Sequence, residues 1–261
     1  MSPREWDLES PIACSVVTRP HGVDVSAWGI PATEARPFAV GEFVAAISAG
    51  GSINCDVWTV TIHAAGTHTE TVRHIRDEGP FVDEIHFAPL MRCLLLRVRP
   101  TSLAASGETY SGTNDPQDPV VTRAALQTAA AALGPTPTDF DALLLATGTI
   151  GEHSDARFDE RPAPYLTDEA MTWVHDQVHV QHLLVDLPSV DRLWDGGRVS
   201  GHHLYWGVDA DGVRTPSRTI TEFVRVRADL PSGCYALQLS VAAWHADAAP
   251  SRVTLYRAVQ P

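Results

Sequence analysis

One stretch of this chain, residues 56–75, constrains its fold and chemistry more than any other. It holds three histidines and a glutamate within twelve positions: His63, His68, Glu70 and His74. The residues before His63 alternate in character, which predicts a strand running to His63. Gly66 supplies the backbone freedom of a turn or bulge. Beyond it, the alternate positions of His68, Glu70 and His74 predict a second extended segment that points all three the same way.

Two extended segments that meet at a glycine would aim these side chains at one point. Neutral imidazole nitrogen and carboxylate oxygen are the ligands that suit Zn2+ and, with more oxygen, Mn2+. The competing interpretation is a chance grouping of hydrogen-bonded or surface histidines, since the chain contains twelve. The strand-compatible spacing of the ligand types around a glycine favours the metal site.

The composition is that of a globular protein, and 261 residues are enough to bury a full core. The net charge of −13 argues against nucleic acid and against an anionic membrane surface as partners. The start of the chain lacks an apolar export signal, and the four cysteines form no C-x-x-C motif. These features predict reduced thiols and a cytoplasmic location. No composition break marks a linker, so residues 1–261 are predicted to form a single domain.

The apolar runs predict an α/β fold class, a single layered domain with mixed sheets. Residues 1–50 are predicted to form an N-terminal arm with short strands, and residues 100–120 the longest loop, a lid or mobile excursion. Helices are predicted over 122–133 and, with Thr167 as N-cap, over 167–178. Strands are predicted over 91–98, 141–147, 180–186, 219–226, 233–242 and 252–259.

The segment G-T-H-T-E-T-V-R-H, which begins at Gly66 and ends at His74, resembles the signature of a known family. The signature reads H-x-G-T-H-x-D-x-P-x-H and belongs to the cyclase family of metal-dependent hydrolases, which includes bacterial kynurenine formamidase and isatin hydrolase. Gly66, Thr67, His68 and His74 match it in register.

Three departures from that signature indicate a divergent branch. Glu70 stands where the family has Asp, and Val72 stands where it has Pro. His63 lies three residues before Gly66 rather than two. It fits the signature only if a bulge near residues 64–65 absorbs the extra residue.

A second set of candidate ligands lies far along the chain, in G-R-V-S-G-H-H-L-Y-W-G and T-I-T-E-F. On a predicted strand His202 and His203 would face opposite ways, so at most one can be a ligand. Glu222 would be either solvated on an outer face or held inside by a cation. The family resemblance selects His202 and Glu222 as the ligands. Residues 187–191 (L-P-S-V-D) match four of five positions of the family's T-P-S-V-D, Gly201-His202 takes the place of its A-H pair, and Glu222 that of a later glutamate.

The resemblance implies the swivelling β/β/α fold of that family and a site for two ions, Zn2+ or Mn2+. Six side chains would form the site: His63, His68, Glu70, His74, His202 and Glu222. His63, His68 and Glu70 would hold one ion, and His74 and His202 would hold the other. Glu222 would bridge the two ions, and Glu70 would be a second bridging carboxylate. The protein would then be a homo-oligomeric amidohydrolase that cleaves a C–N bond in an N-formyl aryl amide or a cyclic amide. Glu70 and His74 would be its catalytic residues.

Two other functions stay open on the same scaffold. A non-catalytic metal-binding protein would account for the shifted His63 and for Glu70 in place of Asp. A metal-dependent lyase or cyclising enzyme would use the same ions without hydrolysis. The serine hydrolase design lacks its motif, because the chain has no G-x-S-x-G. Four aromatic residues near the candidate ligands would either wall an aromatic pocket or pack in the core: Trp58, Trp194, Tyr205 and Trp206.

Overall fold

The computed structural model describes residues 6–20, 26–134, 140–151, 158 and 162–259. Within these residues the strands are β1 (Ile12–Ala13), β2 (Glu34–Pro37), β3 (Ala39–Val40), β4 (Phe43–Val44), β5 (Asp56–Thr59), β6 (His68–Glu70), β7 (Met91–Arg97), β8 (Thr101–Ser102), β9 (Pro119–Val121), β10 (Ala142–Ala146), β11 (Tyr165–Leu166), β12 (His182–Val185), β13 (Val208–Asp209), β14 (Gly212–Val213), β15 (Thr219–Glu222), β16 (Gly233–Val241) and β17 (Ala248–Tyr256). The α-helices are α1 (Leu103–Ser106), α2 (Arg123–Ala131), α3 (Asp168–His175) and α4 (Ser200–Trp206). Short 3-10 turns span Ile47–Ala49, Ile62–Ala64, Val72–His74 and Val82–Glu84.

Seven strands close into a ring in the order β17-β16-β7-β10-β12-β15-β6, and β6 pairs again with β17. The long β17 makes this closure possible, because β6 pairs with its N-terminal end while β16 pairs with the residues that follow. The neighbouring strands β7, β10, β12 and β15 run parallel, and the remaining pairs in the ring are antiparallel. The predicted α/β class with a mixed sheet is confirmed.

The parallel strands are buried on both faces, which explains their nearly continuous apolar sequences. In β10, Leu143 and Leu145 pack in one cluster with residues of α2, α3 and α4. Leu144, between them, faces the opposite side and packs in a second cluster with Leu184 and Leu237. The sheet therefore separates two cores, and the helices cover one of them.

Both longer helices begin where the sequence predicts. Thr122 Oγ1 accepts a hydrogen bond from Ala125 N at 3.0 Å, and Thr167 Oγ1 accepts one from Ala170 N at 3.1 Å. Each threonine thereby satisfies a backbone donor in the first turn of its helix. The six predicted strands correspond to β7, β10, β12, β15, β16 and β17, although β17 begins at Ala248 rather than at residue 252 and β15 ends at Glu222 rather than at residue 226.

The strand predicted to reach His63 is shorter than expected. β5 ends at Thr59 because its one partner, β2, makes its last pair there, between Glu34 and Thr59. His63 lies instead in the 3-10 turn Ile62–Ala64. His74 also lies outside the extended segment, in the 3-10 turn Val72–His74. Of the four candidate ligands around Gly66, only His68 and Glu70 therefore lie on β6.

The prediction of one long loop over residues 100–120 is wrong at both ends of that segment. The segment contains β8, α1 and the start of β9, and β8 and β9 form a small sheet with β11. Its middle is anchored as well, since the buried Tyr110 donates a hydrogen bond from its hydroxyl to Asp191 Oδ1 at 2.8 Å. No helix in the described part of the chain is both long and apolar enough to cross a membrane.

Candidate metal centre

The register of β6 between two neighbours builds the buried half of the site. β6 pairs with β15 so that His68 lies opposite Glu222, and Glu70 is two residues further along β6 on the same face. All three side chains are at most 3% exposed. His68 Nε2 lies 3.6 Å from Glu222 Oε2. We call His68, Glu70 and Glu222 the inner group.

Two backbone features hold this strand pair in place. Gly66 has φ +132°, and a Cβ there would lie 2.8 Å from Thr18 Oγ1 and 3.1 Å from Val16 O, so only glycine fits. Thr67 Oγ1 donates to Phe223 O at 2.6 Å. Phe223 itself adopts φ +53°, an uncommon conformation for a bulky residue, directly after Glu222. The end of β15 is thus tied to the start of β6.

The two 3-10 turns on either side of β6 bring two more imidazoles to Glu70. His63 Nδ1 lies 3.0 Å from Glu70 Oε2, and His74 Nδ1 lies 3.9 Å from the same oxygen. The rings of His63 and His74 are 4.1 Å apart between centroids. We call His63, Glu70 and His74 the outer group, because the two histidines are 23% and 30% exposed.

His202 completes the cluster from helix α4. Its Nε2 lies 3.0 Å from Glu70 Oε1 and 4.0 Å from Glu222 Oε1. On the other side of the ring, Nδ1 is 2.5 Å from Asp191 Oδ2. Asp191 also accepts hydrogen bonds from the backbone N–H groups of Gly201 and His202. This carboxylate therefore fixes both the start of the helix and the ring.

The preference for His202 over His203 agrees with this placement, but the strand predicted for the two residues is wrong. They lie on a helix, where successive side chains diverge by about 100° rather than alternating across a sheet. His202 is buried in the cluster. His203 instead lines a surface cavity of about 330 Å³ with residues such as Asp168 and Ser200.

The structure brings all six predicted site residues together but groups them differently from the prediction. Ligand atoms of the outer group lie within 4.8 Å of one another, and so do those of the inner group. His63 is therefore grouped with His74 rather than with His68, and Glu70 belongs to both groups. His202 contacts both carboxylates, Glu70 and Glu222, from the side.

Three buried atoms of the cluster have no hydrogen-bond partner: His63 Nδ1, His68 Nε2 and Glu70 Oε2. Unpaired buried polar atoms are rare and call for an explanation. All three point into the cluster, and nitrogen and carboxylate oxygen are the donors that Zn2+ and Mn2+ accept. The residues present therefore fit a divalent ion in each group.

The charges of the cluster are strongly coupled. Although burial opposes its ionisation, the neighbouring His74 and His202 hold the pKa of Glu70 well below its usual range. Burial, reinforced by the charge of Glu70, raises the pKa of Glu222 to about 8. Burial lowers the pKa of His68 to about 4. For His63, burial is outweighed by its hydrogen bond to Asp247 and by the negative charges of Glu70 and Asp247, which raise its pKa to about 10.

Two residues of the site were missed by the sequence reasoning. Asp247 Oδ2 lies 2.8 Å from His63 Nε2 and 3.6 Å from His74 Nδ1. Asp191 holds His202, as described above, and its signal was present, since it is the last residue of the segment L-P-S-V-D. Asp247 had no comparable signal, because only the pairing of β6 with β17 brings it near His63.

Of the two alternatives for the aromatic residues near the candidate ligands, core packing holds for Tyr205 and Trp206, which are buried in the same cluster. The ring centroid of Trp206 lies 5.7 Å from that of His202, and Tyr205 donates a hydrogen bond to Thr219 O. Trp58 and Trp194 are largely exposed. A ring that the sequence did not single out, Phe223, lies 6.0 Å from the His68 ring.

The closed mixed sheet with a buried histidine–carboxylate cluster defines an α/β protein with a candidate metal centre. Residues 7–192 match the family described as "Putative cyclase", and the chain belongs to this cyclase family. The resemblance noted in the sequence is thereby confirmed. No protein with a curated description matches the chain significantly.

Solved structures share the fold at low sequence identity. Isatin hydrolase A from Labrenzia aggregata, bound to benzyl benzoate, is 12% identical with a TM-score of 0.63, and the match covers 96% of this chain and 94% of that chain. An isatin hydrolase bound to the product analogue thioisatinate is 12% identical with a TM-score of 0.65, covering 96% and 93%. A predicted metal-dependent hydrolase from Bacillus stearothermophilus is 17% identical with a TM-score of 0.58, covering 95% and 98%.

Proposed function

We propose that this protein is a metal-dependent hydrolase that holds two divalent ions, Zn2+ or Mn2+, and cleaves the C–N bond of a small amide. One observation carries the proposal. Glu70, fully buried, lies between His63, His74 and His202, while its Oε2 and the facing nitrogens of His63 and His68 lack hydrogen-bond partners. The fold shared with isatin hydrolases and with a predicted metal-dependent hydrolase supports the same function.

In this proposal the outer group holds one ion, the inner group holds the other, and Glu70 serves both. His202, whose Nε2 faces Glu70 and Glu222, adds a nitrogen between the two carboxylates. When bound, such ions lower the pKa of water toward neutrality and polarise a substrate carbonyl.

The protein's own contribution to the reaction divides between Glu70 and His74. The low pKa of Glu70 keeps its carboxylate ionised, so it compensates positive charge and holds the surrounding rings in position. His74 is the more exposed histidine of the outer group, and its Nδ1 faces the carboxylates of Glu70 and Asp247. We assign to His74 the transfer of a proton to the leaving nitrogen of the substrate, in the state in which its Nδ1 is released from the ion, because one nitrogen cannot bind an ion and carry the proton at once.

For the substrate we propose an amide with an aromatic group, either an N-formyl aryl amide or a cyclic amide. The related isatin hydrolase structures, one with thioisatinate and one with benzyl benzoate, support a ligand of the same kind.

A cyclising or lyase activity is the second candidate, because one structure of the same fold is described as a potential metal-dependent hydrolase with cyclase activity. Reaction in 18O-labelled water separates the two, since only hydrolysis places solvent oxygen in the product. A non-catalytic metal-binding protein is the third candidate. It would bind metal without turning over any substrate, and its ligands would leave no open position on the ion.

The test combines metal analysis with a substrate screen. We expect the purified protein to bind about two equivalents of Zn2+ or Mn2+ and to hydrolyse a member of a panel of formamides, lactams and cyclic imides. Chelation should abolish this activity, and added metal should restore it. A protein that binds neither ion contradicts the proposal, and one that binds metal but turns over nothing in the panel favours the non-catalytic alternative.

We also propose a homo-oligomer assembled through residues 38–58. Eight of the fifteen large apolar side chains exposed in the described part of the chain lie between residues 38 and 58: Phe38, Val40, Phe43, Val44, Ile47, Ile53, Val57 and Trp58. Such a concentration is typical of an interface. Light scattering should give a multiple of the chain mass, and Phe43→Asp should reduce it.

The domain organisation and the location of the protein are also part of the proposal. A single domain over residues 1–261 is supported by one sheet that takes strands from residues 12 to 256. A cytoplasmic location is supported by four cysteines that are all free thiols.

A further inference from the structure

Asp247 lies beside the cluster because the last strand of the sheet is paired with the strand that carries Glu70. Ala248, the first residue of β17, pairs with Glu70. The carbonyl of Asp247 accepts a hydrogen bond from the backbone N–H of Thr71 at 2.9 Å. The backbone of Asp247 is therefore bound to the residue that directly follows Glu70.

The side chain of Asp247 contacts the outer histidines. Its Oδ2 lies 2.8 Å from His63 Nε2 and 3.6 Å from His74 Nδ1. The opposite nitrogen of the same ring, His63 Nδ1, lies 3.0 Å from Glu70 Oε2, and neither of these two atoms has a hydrogen-bond partner. The His63 ring thus lies between two carboxylates and is hydrogen-bonded to the outer one.

Two other histidines of the cluster are held in the same way. His68 Nδ1 contacts the carbonyl of Gly66 at 3.0 Å, and His202 Nδ1 contacts Asp191 Oδ2 at 2.5 Å. In both rings the other nitrogen faces Glu70 or Glu222. A histidine that binds a metal usually donates its second N–H to an oxygen of this kind, which fixes the tautomer and the ring orientation.

His63 needs such a partner more than the other histidines do. Relative to the family signature, one extra residue separates it from Gly66, and it lies in a 3-10 turn without strand register. The segment that carries Asp247 is braced on its other side, since Val82 N donates to Ala246 O at 2.9 Å and the His245 ring stacks on Phe81 at 3.7 Å. Asp247 thus presents its carboxylate from a firmly held backbone to a ring that lacks strand register.

We propose that Asp247 is a positioning residue of the metal centre, which accepts a hydrogen bond from His63 Nε2–H and turns His63 Nδ1 toward the ion of the outer group. It compensates for the extra residue between His63 and Gly66. The inference rests on the proposed function, since it requires that the outer group hold a divalent ion. Asp247 also lies outside the residues that match the family, 7–192.

The first test measures Zn2+ affinity rather than activity. Zn2+ is titrated into chelator-treated wild type, Asp247→Ala, Asp247→Asn and Asp209→Ala, in competition with a chromophoric chelator. Asp209 is a matched control, because its carboxylate is similarly exposed and binds Arg214 away from the cluster. Asp247→Ala should weaken one Zn2+ equivalent by about 10- to 100-fold. Asp247→Asn, which keeps an acceptor oxygen, should recover most of this loss, and Asp209→Ala should match the wild type.

A double-mutant cycle separates a role through His63 from a general structural role. In a His63→Ala background, Asp247→Ala should cause no further loss of Zn2+ affinity, because the ring it positions is absent. Additive losses would overturn the proposal, and so would equal affinities of Asp247→Ala and Asp209→Ala. If the wild type binds neither Zn2+ nor Mn2+, the proposed function itself fails, and this inference, which requires an ion in the outer group, fails with it.

If Asp247→Ala does not fold, a measurement on the wild type tests the role of Asp247. Imidazole 15N spectra of the Zn2+-loaded protein, with His63 assigned through His63→Gln, should show the proton on Nε2 and none on Nδ1. A His63 ring that carries its proton on Nδ1 would overturn the proposal.

Discussion

The inner and outer groups share Glu70, yet they are built in different ways. The inner group is fixed by the register of β6 against β15, and its side chains are buried. The histidines of the outer group lie in 3-10 turns and are partly exposed, and a carboxylate from outside the strand, Asp247, contacts both. The sheet therefore determines the geometry of the inner group, whereas side-chain contacts determine that of the outer group.

The same contrast appears in the charges of the two groups. Burial lowers the pKa of His68 to about 4, so this ring is neutral and ready to bind an ion at neutral pH. For His63, the carboxylates of Asp247 and Glu70 outweigh burial and raise its pKa to about 10, so without metal this ring is protonated. An ion must displace a proton to bind the outer group. The inner group offers a neutral imidazole, but it must release the proton of Glu222, whose pKa is raised to about 8.

The largest effect should come from the residue that the two groups share. Glu70→Gln removes the negative charge between His63, His74 and His202 and should abolish binding of both ions and all hydrolysis. The loss of metal affinity should exceed the 10- to 100-fold typical of an outer partner, because a ligand itself is changed. Elemental analysis after dialysis checks this. If Glu70→Gln retains two equivalents of metal, the two groups do not depend on the carboxylate of Glu70.

A change confined to the inner group should remove one ion only. Glu222→Gln keeps an oxygen that can accept the hydrogen bond from Val190 N, which is 2.9 Å long in the wild type. The variant should fold, lose one metal equivalent and lose nearly all hydrolysis. Metal content and melting temperature with and without chelator are the measurements. A fully active variant, together with a wild type whose melting temperature ignores chelator, would contradict the two-ion assignment.

Two neighbouring histidines on helix α4, His202 and His203, should differ in their effect on the metal centre. His202→Ala should lower metal affinity and turnover by at least about tenfold more than His203→Ala, because only His202 reaches Glu70 and Glu222. Titration of Zn2+ and initial rates on the same substrate measure the difference. Equal losses in the two variants, or a greater loss for His203→Ala, would reverse the assignment.

The smallest effect concerns His182, a histidine away from the cluster. Its titration contributes to the pH dependence of the protein's stability. Burial, opposed by Asp141, lowers the pKa of His182 to about 4 from about 6.5. Between these values the unfolded chain binds more protons, so stability falls as the pH is lowered from 6.5 to 4, by at most about 3 kcal/mol. His182→Gln should flatten this fall in melting temperature. Parallel curves for the two proteins would show that His182 does not contribute.

The sequence could predict those parts of the site that depend on local pattern. The alternation of His68 and Glu70 indicated the strand on which they lie, and Thr122 and Thr167 marked the starts of two helices. The turn at His63 was not predictable, because an alternating pattern does not show where a strand loses its partner. Asp247 was not predictable either, since its position depends on contacts between residues far apart in the chain.

The closure of the sheet by β17 has a consequence for how the protein is made. Thr69 on β6 and Ser251 on β17 are hydrogen-bonded partners 182 positions apart. While the chain is being synthesised, β6 and β16 will therefore each lack a strand partner on one side until β17 has left the ribosome. Open strand edges of this kind promote association with other chains. We expect the centre to acquire its ions only after synthesis, from the metal pool that surrounds the finished chain, and truncation before β17 to yield aggregated, metal-free protein.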